Sequence, residues 1–234
     1  MSRDEIIMYL KECIFDGKLS ENNLYSKVME FLPKDVEVQT GVTKMALFFP
    51  NTDFVVKIPF NGVTQHHVEW NDETKEYEEK EEPEFIPFEF AETKDETDNW
   101  NYCQVEVELY EEAVHDNVSQ FFLETELLTI INDNPIYIQQ KAEILAECKD
   151  TDYYEDSYDE DTLSETRKKC KDKDLRCFNA CWLSDAFRYY KNDDKVFDLL
   201  VFAENYLEDL HSHNLGYVDG RPVIIDYAGY HEED

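Results

Sequence analysis

The residues whose types and spacing bear most directly on chemistry lie in the C-terminal run DLHSHNLGYVDGRPVIIDYAG. Asp209 and Asn214 are five positions apart, and a short hairpin signal separates them from Asp226. Such spacing lets Asp209 and Asn214 point into one cleft while the hairpin returns Asp226 beside them. A set of this kind suits Mg²⁺, which takes oxygen ligands and binds through one or two carboxylates plus substrate phosphates. An aspartate not used on metal can orient or deprotonate a hydroxyl nucleophile. His211 and His213 also admit a transition-metal reading, since imidazole is a common ligand. Backbone-stabilising roles in the same loop are the plainer expectation for them.

Several elements must position this trio. Val196, Leu199, Leu200, Ala203, Tyr206, Leu207 and Leu210 recur at helical spacing and predict an amphipathic helix running directly into Asp209. The stretch Leu215 to Val218, the turn Asp219-Gly220 and the run Val223 to Asp226 predict a hairpin. Upstream, Ile6, Ile7, Leu10 and Ile14, then Leu24, Val28, Phe31 and Leu32, predict two short helices broken around Gly17 and ended by Pro33. From Val36 to Ile58 the alternation and the turn Pro50-Asn51-Thr52-Asp53 predict three antiparallel strands, the third being Phe54 to Ile58. A helix is expected from Trp100 to about Asn117. Two strands, Leu127 to Ile131 and Ile136 to Gln140, follow around the turn Asn132-Asp133-Asn134-Pro135.

Composition narrows the function classes. The 234 residues carry 22 Lys and Arg against 55 Asp and Glu, a net charge of −33, with 42% hydrophobic residues. That supply of apolar residues is enough for a core and excludes wholesale disorder. Its negative field repels nucleic acid and anionic membrane surfaces, and favours metal ions and basic proteins. Two segments are especially acidic. Residues 69–98 read as a surface excursion within an insertion over 61–98, and residues 150–174 as a solvated loop. The six cysteines form no CxxC pair, so free thiols are expected, with Cys177 and Cys181 packed on one helical face. No stretch approaches the roughly 20 consecutive apolar residues of a membrane span. With no secretory signal at the N-terminus, a cytoplasmic protein is expected.

The trio Asp209, Asn214, Asp226 resembles the catalytic loop D-x-x-x-x-N and the strand-end metal aspartate of the protein-kinase-like superfamily, which includes the aminoglycoside phosphotransferases. The wording DLHSHN with IIDYAG is similar to small phage-encoded kinase-like proteins. The resemblance implies an α+β, two-lobed fold. Its parts would be a helical cap over 1–33, a β-rich lobe with an antiparallel sheet over 34–140, and a reduced helical lobe over 141–234 with the catalytic hairpin at 209–229. It implies ATP and Mg²⁺ as ligands, with Asp209 catalytic, Asn214 and Asp226 on the metal, and Lys57 on the α- and β-phosphates. Glu106 would pair with that lysine, with Glu108 as its rival. Gly41 would lie in the phosphate loop, and Gln140-Lys141-Ala142-Glu143 would form a hinge whose backbone at Lys141 and Ala142 meets adenine.

The sequence also departs from the family pattern. Thr40-Gly41-Val42-Thr43-Lys44 holds one glycine where the family usually has two or three, Leu207-Glu208 replaces His-Arg, and Tyr-Ala-Gly follows Asp226. The eight residues after Asp226 imply a minimal lobe without an activation segment. Two functions follow as expectations. One is a phosphotransferase acting from Mg-ATP on an unknown hydroxyl. The other is an inactive kinase-like scaffold, viral in kind and then in the host cytoplasm, that binds a basic host protein or mimics a polyanion.

Overall fold

The computed structural model describes residues 1–12, 32–41, 43–65, 68–71, 76–79, 84–90, 101–131, 134–145, 160–170, 178–207, 210 and 212–228. The architecture is α+β, with an antiparallel sheet and several helices. The chain divides into two units, Met1–Cys103 with Leu127–Ile138, and Gln104–Glu126 with Gln139–Asp234.

Unit one opens with α1 (Arg3–Leu10), held by a capping box. The Ser2 hydroxyl accepts from the Glu5 N–H, and the Glu5 carboxylate accepts from the Ser2 N–H at 2.7 Å. Ile6 and Leu10, one turn apart, are its buried face. The second helix expected before Pro33 lies outside the described residues. Strands β1 (Glu37–Thr40), β2 (Lys44–Phe48) and β3 (Phe54–Gln65) pair antiparallel in sequence. Asn51, with φ 58°, makes the turn before β3, a conformation that asparagine tolerates better than most residues. Here β3 is longer than the expected Phe54 to Ile58, because its distal half pairs with β6 (Glu84–Phe90). Strands β4 (Val68–Asn71) and β5 (Glu76–Glu79) form a separate hairpin. The acidic stretch read as a plain excursion therefore contains regular strands. Its alternating aromatics carried that signal beneath the charge.

The larger sheet runs β1-β2-β3-β8-β7, where β7 is Thr125–Ile131 and β8 is Asn134–Gln140. Both strands match the expected runs to within two residues. Met45, Leu47, Val56 and Ile58 share one sheet face with Ile136 and pack with Ile6, Leu10 and Phe49.

Unit two holds α2 (Tyr102–His115) from Gln104 onward, a single 3₁₀ turn (Ser119–Phe121), and the helices α3 (Glu160–Lys169), α4 (Ala180–Tyr190) and α5 (Asp193–Tyr206). Helix α2 ends on Asn117 at φ 57°, with the Val118 N–H donating to the Ala113 carbonyl at 2.8 Å, a Schellman closure. The solvated loop expected over 150–174 is corrected by α3. Its Leu163, Thr166 and Cys170 are buried on one face, and Leu163 is the face's one aliphatic residue, so the flanking charges masked the helical period. Lys169 pins α3 to the next helices, donating to the Asp193 carboxylate at 3.0 Å with its ammonium 4.8 Å from the Phe187 ring centre.

Asn179 caps α4, accepting from the Cys181 and Trp182 N–H groups at 2.9 and 3.2 Å. Cys181 is buried as expected, and Cys177 lies outside the described residues. Lys191 (φ 51°) ends α4, and Asn192 caps α5 immediately after it. Helix α5 stops at Tyr206 instead of running into Asp209, with Leu207 already extended. The small sheet β11-β10-β9, formed by Arg221–Ile224, Leu215–Val218 and Glu143–Ile144, completes the unit. Asp219 (φ 50°) and Gly220 (φ 77°) form the predicted two-residue turn, both left-handed as a type I′ hairpin requires.

Candidate functional site

The hairpin decides where Asn214 and Asp226 stand. Leu215 pairs with Ile224, and one step beyond, the Ile225 N–H donates to the Asn214 carbonyl at 2.8 Å. Asn214 and the Ile225–Asp226 segment therefore leave the same end of the hairpin, on adjacent strands. Asn214 is buried and Asp226 half-buried. Gly216 makes this geometry possible, because a Cβ there would run into the Glu143 carbonyl oxygen of β9 and the Ile225 side chain. Trp182 on α4 donates its ring N–H to the Gly216 carbonyl at 3.3 Å, and the Tyr217 hydroxyl donates to Asp185 at 2.8 Å. The hairpin is thereby fastened to α4 along its length.

Helix α2 sorts its glutamates by burial. Tyr102, Glu106 and Ala113 lie on the buried stripe, with Glu106 0% exposed, whereas Glu108, Glu111 and Glu112 face solvent. Glu106 accepts from the Thr125 hydroxyl at 2.5 Å. Glu108 instead accepts from Gln104 on the exposed side.

Three residues that spacing did not reveal complete this region of unit two. Gln139, in β8 where the chain crosses between units, is buried, and its amide donates to three oxygens: Ile225 O at 2.8 Å, Thr125 Oγ1 at 3.0 Å and Leu123 O at 3.1 Å. Two of those are carbonyls, which cannot donate, and this fixes which end of the amide faces them. Thr125 accepts from Gln139 and donates to Glu106, giving a one-directional chain. The Tyr227 hydroxyl donates to the same Leu123 carbonyl at 3.0 Å. Burial pushes the Tyr227 phenol well above its ordinary range, and the Glu106 carboxylate adds to the rise. These partners lie between 14 and 104 positions apart, so no local pattern announces them.

In unit one, Lys57 pairs across from Ala46 and so points away from the face carrying Val56 and Ile58. It is only 4% exposed. Lys44 is on the same face and is also buried. Gly41 sits in the exposed β1–β2 turn, its N–H donating to Lys44 O at 2.9 Å. A Cβ at Gly41 would meet nothing closer than that oxygen at 3.7 Å, and its φ is not left-handed, so the turn does not require glycine. Lys141 and Ala142 form a half-buried two-residue link between β8 and β9. Asp209 and His211 lie outside the described residues, and His213 is exposed.

No three His, Cys, Asp or Glu side chains gather into a metal-holding set among the described residues. Asn214 and Asp226 stand on adjacent strands at one hairpin end, and an amide and a carboxylate are oxygen donors of the kind Mg²⁺ takes together with phosphate oxygens. A polar cavity of about 420 Å³ elsewhere in unit two is lined by Asn117, Tyr190 and Lys195 among others. Its lysine is engaged, donating to Asn117 O at 3.0 Å beside Asp198. Among the described residues, no helix is long and apolar enough to cross a membrane.

Comparison with protein-family models, with curated proteins and with solved structures finds no match to this chain.

Proposed function

We propose that the chain is a kinase-like phosphotransferase that binds Mg-ATP and passes a phosphoryl group to a hydroxyl acceptor. The observation that carries this reading is the hairpin closure from Ile225 to Asn214, which sets Asn214 and the Ile225–Asp226 segment on adjacent strands at one hairpin end, the two positions to which the sequence resemblance assigns metal ligands. The buried Lys57 and the buried Glu106 support it, since ionisable side chains are rarely held inside without a task or a partner.

In this reading Asn214 and Asp226 would hold Mg²⁺, which would supply charge neutralisation at the phosphates. The sequence resemblance assigns Lys57 to the α- and β-phosphates. The backbone of Lys141 and Ala142 meets the base. Asp209 takes the acceptor's proton as the acceptor oxygen bonds to the γ-phosphorus and the bond from that phosphorus to the departing ADP breaks. Rate enhancement comes from positioning and charge neutralisation. Incubation with γ-labelled ATP and candidate small hydroxyl acceptors tests this reading. Label transfer that vanishes in Asp226→Asn is expected, and equal transfer by that variant refutes it.

A second reading is favoured by Gly41, whose turn geometry needs no glycine, and by the net charge of −33. In it the chain is an inactive scaffold whose acidic surface occupies a basic site on another protein. Binding to such a partner should fall steeply between low and high salt and survive Asp209→Ala. Salt-independent binding counts against it.

A further inference from the structure

We propose that Gln139 is a positioning residue for Asp226, acting through the peptide group that joins Ile225 to Asp226. The inference rests on the Mg-ATP reading for its consequence, and on the hydrogen bonds of unit two for its mechanism.

A peptide group is a rigid plane, so holding the Ile225 carbonyl also sets the Asp226 N–H and the direction in which the Asp226 Cα leaves. Gln139 holds that carbonyl at 2.8 Å. On the other side of Ile225, the N–H is tied to Asn214 O at 2.8 Å, and the preceding Ile224 carbonyl accepts from the Leu123 N–H at 3.0 Å. Beyond Asp226, the Tyr227 hydroxyl is anchored on the Leu123 carbonyl that Gln139 also reaches. Asp226 is thus bracketed by two buried anchors that converge on one carbonyl, while its own side chain stays half-buried.

The amide is a costly choice at this position. Its Oε1 is buried with no hydrogen-bond partner, which an apolar side chain of the same length would avoid. Positions that keep such an idle acceptor call for an explanation. Aiming the donor end at the Ile225 carbonyl provides one. Mg²⁺ demands near-ideal octahedral geometry, so a small displacement of Asp226 weakens metal binding without touching the base or the phosphates. Groups that orient metal ligands typically change metal affinity by about 10–100-fold when removed.

Gln139→Met tests the assignment. It removes the idle acceptor together with the donors, while Thr125 keeps Glu106 and Leu123 keeps Tyr227, so the fold is retained. The full chain, wild type and variant, is melted with ATP in EDTA and with ATP over a Mg²⁺ series. Amide exchange is followed over residues 223–228. The expected result is an equal shift with ATP in EDTA, about tenfold more Mg²⁺ needed for the half-maximal shift in the variant, and faster exchange over 223–228. Wild-type Mg²⁺ dependence in Gln139→Met overturns the inference, as does an equal loss with and without metal, which marks general damage. If wild type itself shows no Mg²⁺-dependent shift, the nucleotide reading fails, and unchanged exchange in the variant then overturns the positioning role independently. Gln139→Asn, which withdraws the amide by one methylene, replaces the methionine variant if that does not accumulate, with the same expectations.

Discussion

Lys57 and Glu106 are buried ionisable side chains, a placement that is uncommon without a partner or a task. In the kinase-like reading both charges are retained for phosphate binding, so Lys57→Met should lower phosphoryl transfer by about 100-fold or more. Transfer at the wild-type rate would remove Lys57 from the mechanism. Gly41 carries the opposite expectation. With room for a Cβ and no left-handed φ, Gly41→Ala should raise stability by about 0.4–1 kcal/mol by restricting the unfolded chain, measured as a higher urea midpoint at unchanged slope. Tyr190 supplies a pH dependence. Its hydroxyl donates its one proton between the Gln120 and Pro222 carbonyls, at 2.8 and 3.0 Å, and burial lifts its pKa from 10 to about 12. A raised folded pKa means the contribution is complete below the unfolded value and is lost as pH rises from there through the folded one. Stability should therefore fall between pH 10 and 12, and Tyr190→Phe should flatten that fall in alkaline denaturation.

At the scale of elements, the hairpin β10–β11 ends at the pair proposed as metal ligands, and its tolerance is set by Gly216. Gly216→Ala should destabilise by about 1–3 kcal/mol through overpacking against β9, and thermal melting should show it. Leu163→Ala should cost about 2–5 kcal/mol, because Leu163 is the aliphatic anchor of α3. A cost below 0.5 kcal/mol would mean that α3 is not packed as described. These two residues also mark what can be read locally. The Asp219-Gly220 turn announced its hairpin, since only a few residue pairs accept two left-handed conformations. Helix α3 was hidden because one leucine among charges makes a weak period. The apolar spacing outlasts α5 because Leu207 and Leu210 are buried from non-helical backbone. The hairpin that separates Asn214 from Asp226 is legible in the sequence because it is local. The Glu106–Thr125–Gln139–Ile225 chain was not, because its members come from α2, β7, β8 and the segment after β11.

For the whole molecule the dominant quantity is the net charge of −33. Self-repulsion of that size should make the melting temperature rise as salt is added from about 0.01 to 0.15 M, over which the Debye length falls from about 30 to 8 Å. A falling melting temperature would mean that attractive pairs outweigh the repulsion. The same field opposes a polyanionic nucleotide, so in the kinase-like reading Mg²⁺ must offset it locally. Thermal-shift titration of the full chain with ATP, with and without Mg²⁺, is therefore the most direct measurement, because a ligand bound to the folded state stabilises it by mass action. The kinase-like account predicts a concentration-dependent rise in melting temperature that is larger with Mg²⁺ and loses its Mg²⁺ increment in Asp226→Asn. No shift at millimolar Mg-ATP, or a shift indifferent to Asp226→Asn, would contradict it.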